Sequence, residues 1–210
     1  MEVKDISLTY MNFITSLLLL LTISIAPKAT AEKSLIRSNI SLVDRVTVIV
    51  LYDNYSYDSN LKTSWGFSCL VKGFDETILF DTGRNGEILL SNMEELDIDI
   101  EDIDIVVLSH IHGDHTGGLE KLMNRSSNFT VYYPRSFPDY FKEKIDRWGG
   151  KSEEVEEQVN ICSGVYSTSI MGRSIREQGL VLLTVKGAVL ITGCAHPGIV
   201  NMVKRTKEIS

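Results

Sequence analysis

Histidine is scarce in this chain, with 4 among 210 residues. Cysteine is scarcer still: Cys69, Cys162 and Cys194 lie far apart. Three scattered thiols exclude a disulfide framework and a cysteine-based zinc finger, although one pair remains open to bridging. Lysine and arginine form no cluster and the formal net charge is −7, which excludes nucleic acid as the main partner. No G-x-S-x-G stretch occurs and no Cys/His pair is indicated, so a serine or thiol nucleophile has no support. Beyond a leucine-rich stretch near the N-terminus, low-complexity tracts and short-period repeats are also missing. So is any run of about 20 apolar residues, the length a helix needs to cross a bilayer.

The longest apolar run is Phe13 to Ile25, FITSLLLLLTISI, followed by Pro27 and then Ala29-Thr30-Ala31. An apolar core ahead of small residues matches a secretory signal peptide over residues 1–31, cleaved after Ala31. Its five consecutive leucines leave no polar face, unlike an amphipathic core helix. Only Lys4 offers positive charge ahead of it, against Glu2 and Asp5. The reading is therefore export to the periplasm or exterior, with an uncleaved, membrane-tethering segment as the alternative. The N-x-S/T triplets at Asn39, Asn54, Asn124 and Asn128 are compatible with export. Residues 32–43 read as a linker and 44–210 as one folded domain. Across the whole chain, 43% hydrophobic and 23% charged residues suit a globular core.

Within that domain, RVTVIVLYD (Arg45 to Asp53) is β-branched and apolar, the pattern of a buried strand. WGFSCLVKG and ETILFDTG read as a hairpin turned at Gly73-Phe74-Asp75, with Phe67, Leu70, Ile78 and Phe80 towards a core. Ile88, Leu89, Met93 and Leu96 form one stripe of a helix over Asn85 to Leu96. Ile105 to Leu108 is continuous enough for a strand covered on both faces. A helix is expected from about Leu119, a strand at NFTVYYP, an aromatic-rich helix over Arg135 to Trp148 and an acidic helix over Ser152 to Gln158. Strands return at GVYSTS, GLVLLTV and GAVLITG, before a last helix near Pro197. Strands alternating with helices, hairpins included, suit an α/β (α+β) arrangement of sheets with helices packed outside.

Three of the four histidines fall in LSHIHGDHTGGL, Leu108 to Leu119. Alternate residues of an extended segment point the same way, so His110 and His112 can reach one ion. Gly113 then lets the backbone turn, and Asp114 and His115 can face a second position. Imidazole and carboxylate ligands must come within about 2.0–2.2 Å of a zinc-like ion. Gly117 and Gly118 clear space for the next helix to start close by. His196 ends VLITGCAH at another strand-to-loop junction, where functional groups on a rigid scaffold commonly sit. Asp81 in ILFDTG is placed to orient a metal-bound histidine, or to serve a tight turn with Gly83.

His110-x-His112-x-Asp114-His115, with Asp81 upstream and His196 downstream, resembles the metallo-β-lactamase superfamily from about Val46 onward. Glu177 to Val203 is similar to the subgroup of the archaeal dihydropterin-ribofuranosylaminobenzene-phosphate synthase. The resemblance implies an αββα sandwich of two mixed β-sheets with outer helices and a metal site at one edge. It implies that His110, His112 and His196 bind one ion, and that Asp114 and His115 contribute to a second. Further ligands normally follow, yet the 14 residues after His196 contain no His, Asp or Cys, and Glu208 is their sole carboxylate. On that comparison the C-terminal part of the sandwich reads as incomplete. Cys194 is not a position the family uses as a ligand.

The expected chemistry is metal-activated water, its pKa lowered from about 15.7 towards about 7, with Asp114 as general base. Zinc is the expected metal, one or two ions, although these ligands also accept manganese or iron. The substrate class is a small-molecule ester, phosphoester, thioester or lactam. Two other readings stand beside this exported hydrolase: a synthase like the named subgroup, and an inactive metal-binding remnant.

Overall fold

The computed structural model describes Leu21–Ile23 and residues 42–210. The proposed signal peptide and most of the linker lie outside the described residues. From the signal segment only β1 (Leu21–Ile23) is described, as a short edge strand.

The first sheet contains β2 (Thr47–Tyr52), β3 (Ser68–Lys72), β4 (Ile78–Phe80), β5 (Ile105–Val107), β6 (Thr130–Pro134) and β7 (Lys151–Val155), in that order across the sheet. The first three strands pair antiparallel and the last four parallel. The second sheet has the order β1, β11 (Gly187–Ile191), β10 (Leu180–Thr184), β9 (Val165–Ser167), β8 (Asn160–Cys162). Its pairings are antiparallel throughout. Of the two mixed sheets expected, only the first is mixed. The reason lies in the connections: tight turns such as Val185-Lys186 join neighbours in the second sheet, and only crossover segments produce parallel pairs.

Alternation along the strands builds two cores from one sheet. Cys69, Val71, Ile78 and Phe80 meet Leu180, Leu182, Val189 and Ile191 between the sheets. Leu70, Leu79 and Val106 point the other way, under α1 (Gly86–Glu95), α3 (Leu119–Arg125) and α4 (Asp139–Arg147). Leu70 thus faces the helices, while Phe67, Ile78 and Phe80 face the opposite sheet. On the outer side of the second sheet, Met202 of α5 (Ile199–Ile209) packs with Val181 and Leu190. The layers run helix, sheet, sheet, helix. Burying a Leu, Val or Phe side chain contributes about 1.5–3 kcal/mol, so both faces of the first sheet count.

Two expectations are corrected. Ser152 to Gln158 is not a helix: Ser152–Val155 belongs to β7, paired parallel with β6. Its glutamates favour a helix in isolation, but only Val155 is fully buried, and a charged outer strand protects the sheet edge from further pairing. The connection from β3 to β4 is longer than Gly73-Phe74-Asp75, running to Thr77, whose N–H donates to Asp104 Oδ2 at 2.8 Å. Among the described residues, no helix is long and apolar enough to cross a membrane.

The glycines after the histidine run separate cleanly. A Cβ on Gly118 would stand 2.1 Å from the Thr82 carbonyl oxygen, and one on Gly117 would stand 2.3 Å from that of Arg84. Nothing lies within 4 Å of a Cβ on Gly113, the first residue of the short helix α2 (Gly113–Thr116). The turn there is made by helix initiation after extended His112, and glycine's freedom is not what it uses. Gly118→Ala is therefore expected to lower stability by about 1–3 kcal/mol. Gly113→Ala should be neutral or slightly stabilising. Denaturant unfolding of the two variants checks the contrast.

Candidate metal centre

Three strand ends meet at one rim of the sandwich. After β4 the chain turns sharply at Asp81, whose φ is +58°; a non-glycine residue in this left-handed region signals a constrained site. Its N–H donates to the Val107 carbonyl at 2.9 Å. Its side chain is fully buried beneath the residues that follow β5.

The Asp81 carboxylate organises those residues. Oδ1 accepts from the Ser109 N–H at 2.7 Å, and Oδ2 accepts from Ser109 Oγ at 2.7 Å. His115 Nδ1 lies 2.6 Å from the same Oδ2. Ser109 Oγ is also 2.8 Å from His110 Nδ1. A carboxylate only accepts, so the single hydroxyl proton of Ser109 goes to Asp81 and His110 Nδ1–H must donate to Ser109 Oγ. That fixes the tautomer and leaves His110 Nε2 with a bare lone pair, facing His112 Nδ1 at 3.1 Å.

The His196 segment is held as firmly. Glu177, fully buried, accepts from the Ala195 N–H at Oε1 (2.9 Å) and from the His196 N–H at Oε2 (2.7 Å). Ala195 is left-handed, with φ +55°. Next door, Gln178 ties the second sheet to the histidine loop: Nε2 donates to the Leu108 carbonyl and N–H to that of Ser109, both at 2.9 Å. A Cβ on Gly193 would lie 2.4 Å from Ser109 Oγ, so the two segments touch.

His110, His112 and His196 converge, one ligand atom from each lying within 4.8 Å of the other two. The rings of His196 and His112 are 4.9 Å apart, and those of His196 and His110 are 4.8 Å apart. Two nitrogens bound to one tetrahedral ion at about 2.0–2.1 Å stand roughly 3.3 Å apart, close to the 3.1 Å between His110 Nε2 and His112 Nδ1. The donor set therefore fits a divalent transition metal. Asp114 Oδ2 lies 3.6 Å from His115 Nε2. His115 itself belongs to a second grouping, with His110 and Cys194. Every candidate ligand read from the sequence is brought to this rim, and Asp81 contacts His115 directly.

Sequence reasoning missed three contributors. Ser109 and Glu177 act through hydrogen bonds that no motif announces, and Gln178 acts across the sheets. Cys194 was set aside, yet its Sγ is 3.2 Å from His115 Nε2. The reversed backbone at Ala195 lets the thiol and the imidazole of His196 serve neighbouring positions. All three cysteines are free, and no bridge forms.

Electrostatics split the histidines. Burial, reinforced by the neighbouring imidazoles of His115, His196 and His112, pushes His110 down to about 2. His196 is lowered by burial and by His112 and His115. Burial also opposes charge on His115, but the Asp81 carboxylate outweighs it and lifts His115 to about 11. Burial raises Glu177, against its two backbone donors.

The family profile of the metallo-beta-lactamase superfamily matches residues 66–200, and the chain belongs to that superfamily. It is 31% identical to the 7,8-dihydropterin-6-methyl-4-(beta-D-ribofuranosyl)-aminobenzene-5'-phosphate synthase of Methanocaldococcus jannaschii, over 82% of this chain and 75% of that protein. An uncharacterised protein of the same organism is 28% identical over 77% of this chain and 74% of its own length. Among solved structures, a quorum-quenching N-acyl homoserine lactone lactonase superposes with a TM-score of 0.54 at 19% identity, over 81% of this chain and 88% of that one. Human tRNase Z, short form, gives 0.52 at 17% identity, over 74% and 73%. At such identities the solved structures share the fold alone.

For the metal-free protein the two shifted histidines set opposite pH limbs. Unfolded His110 binds a proton near 6.5 and folded His110 near 2, so stability is lost as pH falls below about 6.5. Folded His115 keeps its proton to about 11, so its contribution is full below about 6.5 and lost as pH rises through the folded value. Thermal unfolding of chelator-treated protein from about pH 5 to about pH 9 should peak between the limbs. Asp81→Asn should flatten the alkaline limb while lowering stability overall.

Proposed function

We propose that this chain is a metal-dependent enzyme of the synthase type, acting on substrates of the class named for its archaeal relative. On this reading the arylamine nitrogen of a ribofuranosyl-aminobenzene phosphate displaces the leaving group of an activated dihydropterin-6-methyl donor, so that a C–N bond forms, the donor's bond to its leaving group breaks, and that group departs as an anion. The observation that carries it is the 31% identity over 82% of the chain.

His110, His112 and His196 would hold a divalent cation, which when bound would supply Lewis acidity near neutral pH. The protein's own groups do the rest. Asp81 holds His115 directly and His110 through Ser109, so both present Nε2 to the rim without reorganisation. Glu177 fixes the backbone of His196. Asp114, with a side chain 19% exposed beside His115 Nε2, takes the proton released by the attacking group.

The same parts suit hydrolysis, the second reading, with an ester, phosphoester, thioester or lactam as substrate. The open position of Asp114 favours it, since water can reach that carboxylate. Export over residues 1–31 belongs with this reading, and a synthase of cytoplasmic metabolites does not need it. Cell fractionation bears on the choice.

The direct test supplies the zinc- or manganese-loaded protein with an activated dihydropterin-6-methyl donor and the arylamine phosphate, beside a panel of hydrolysable esters and lactams. The joined product, seen by mass spectrometry and abolished by chelator, is the expected result. Hydrolysis without joining transfers the assignment to the second reading, and turnover of neither by a loaded site makes the chain a metal-binding remnant. Asp114→Asn should lower kcat by about 10²–10⁴-fold.

A further inference from the structure

We propose that Cys194 is a metal ligand, giving the second position of the centre a thiolate beside the His115 imidazole. The inference concerns coordination and holds whichever reaction the centre performs.

The geometry comes from three places. Cys194 Sγ lies 3.2 Å from His115 Nε2. A nitrogen at about 2.0–2.1 Å and a sulfur at about 2.3 Å from one tetrahedral ion stand roughly 3.5 Å apart, so the pair is already spaced as co-ligands. Asp114 Oδ2 is 3.6 Å from the same imidazole nitrogen, which adds an oxygen donor on the open side. Cys194 and His115 also cluster with His110, all donor atoms within 4.8 Å of one another, so the second position directly adjoins the first, to which His110 Nε2 belongs.

The backbone explains how one short loop serves two positions. Cys194 and His196 flank Ala195, whose left-handed conformation is locked by the paired hydrogen bonds from the Ala195 and His196 N–H groups to Glu177. In a regular strand, residues 194 and 196 would point the same way and compete for one ion. The reversal at Ala195 sends the thiol to His115, while the His196 ring packs against His112 and His110. Cys194 is exposed, so the thiol is open to solvent-borne metal and is not filling the core.

Chemistry follows from the donor. Thiolate with imidazole selects borderline-soft ions such as zinc or cobalt over magnesium, calcium or manganese. The first position offers three imidazole nitrogens, which suit zinc, copper, iron or nickel, without the added softness of a thiolate. The two positions therefore differ in metal preference.

The test uses cobalt(II) as a spectroscopic stand-in, titrated into the metal-free full chain. Cobalt–thiolate bonding produces a near-ultraviolet charge-transfer band that imidazole and carboxylate do not. Two equivalents should bind, and the band should grow with the equivalent that fills the second position. In Cys194→Ser the band should vanish, one equivalent should remain tight, and affinity for the other should fall by at least about tenfold, since loss of a mere outer partner costs about 10–100-fold. Circular dichroism and the retained tight ion show that the variant is folded. Two bound ions without the band, or a band that survives in Cys194→Ser, overturns the assignment and leaves the three-histidine position standing. A chain that takes up no cobalt overturns both.

Discussion

A single buried carboxylate sets the geometry of this rim. Asp81 accepts from the Ser109 backbone, the Ser109 hydroxyl and the His115 ring, and through Ser109 it dictates which nitrogen of His110 is bare. Hydrogen bonds to a charged group contribute about 1.5–3 kcal/mol each, and here they are spent on orientation. The strained backbone at Asp81 follows from the same demand, because only a sharp turn after β4 puts that carboxylate under the loop after β5. Thr82 completes the turn, with its N–H and Oγ both donating to the His115 carbonyl at 2.8 and 3.0 Å.

The second organising element crosses between the sheets. Glu177 and Gln178 lead into β10; one grips the His196 loop and the other the end of β5. Neither contact is apolar, yet together they register two sheets whose apolar faces alone would tolerate sliding. Ser167 Oγ donates to Gln178 Oε1 at 2.6 Å, so the amide is satisfied at both ends and carries no burial penalty. Polar groups specify alignment here, and the Phe67, Phe80, Leu180 and Ile191 layer supplies cohesion.

Much of this was legible in the sequence, and the parts that were not share a cause. Strand and helix periodicity located most elements because burial enforces it. It failed at Ser152 to Gln158, where an edge strand with one buried residue has no periodic pattern to show. The clustered histidines and aspartate are local in sequence, so their meeting at one rim could be read directly. Ser109, Glu177 and Gln178 work through tertiary hydrogen bonds to backbone atoms, which leave no residue-type signature. The approach of Cys194 to His115 was not legible either, because spacing in an extended strand puts residues 194 and 196 on one side. A left-handed residue between them, invisible in the letter alanine, removes that constraint.

The grouping of His110, His112 and His196 has a consequence for biosynthesis. Two of the three side chains are made 84 or more residues before the third, and the strand carrying His196 belongs to the opposite sheet. A nascent polypeptide that carries His110 and His112 but not yet His196 therefore presents an open half-cage with weak grip on any ion. A cage closed by all three imidazoles therefore exists only once the strand leading to His196 has docked, in whatever compartment that docking occurs.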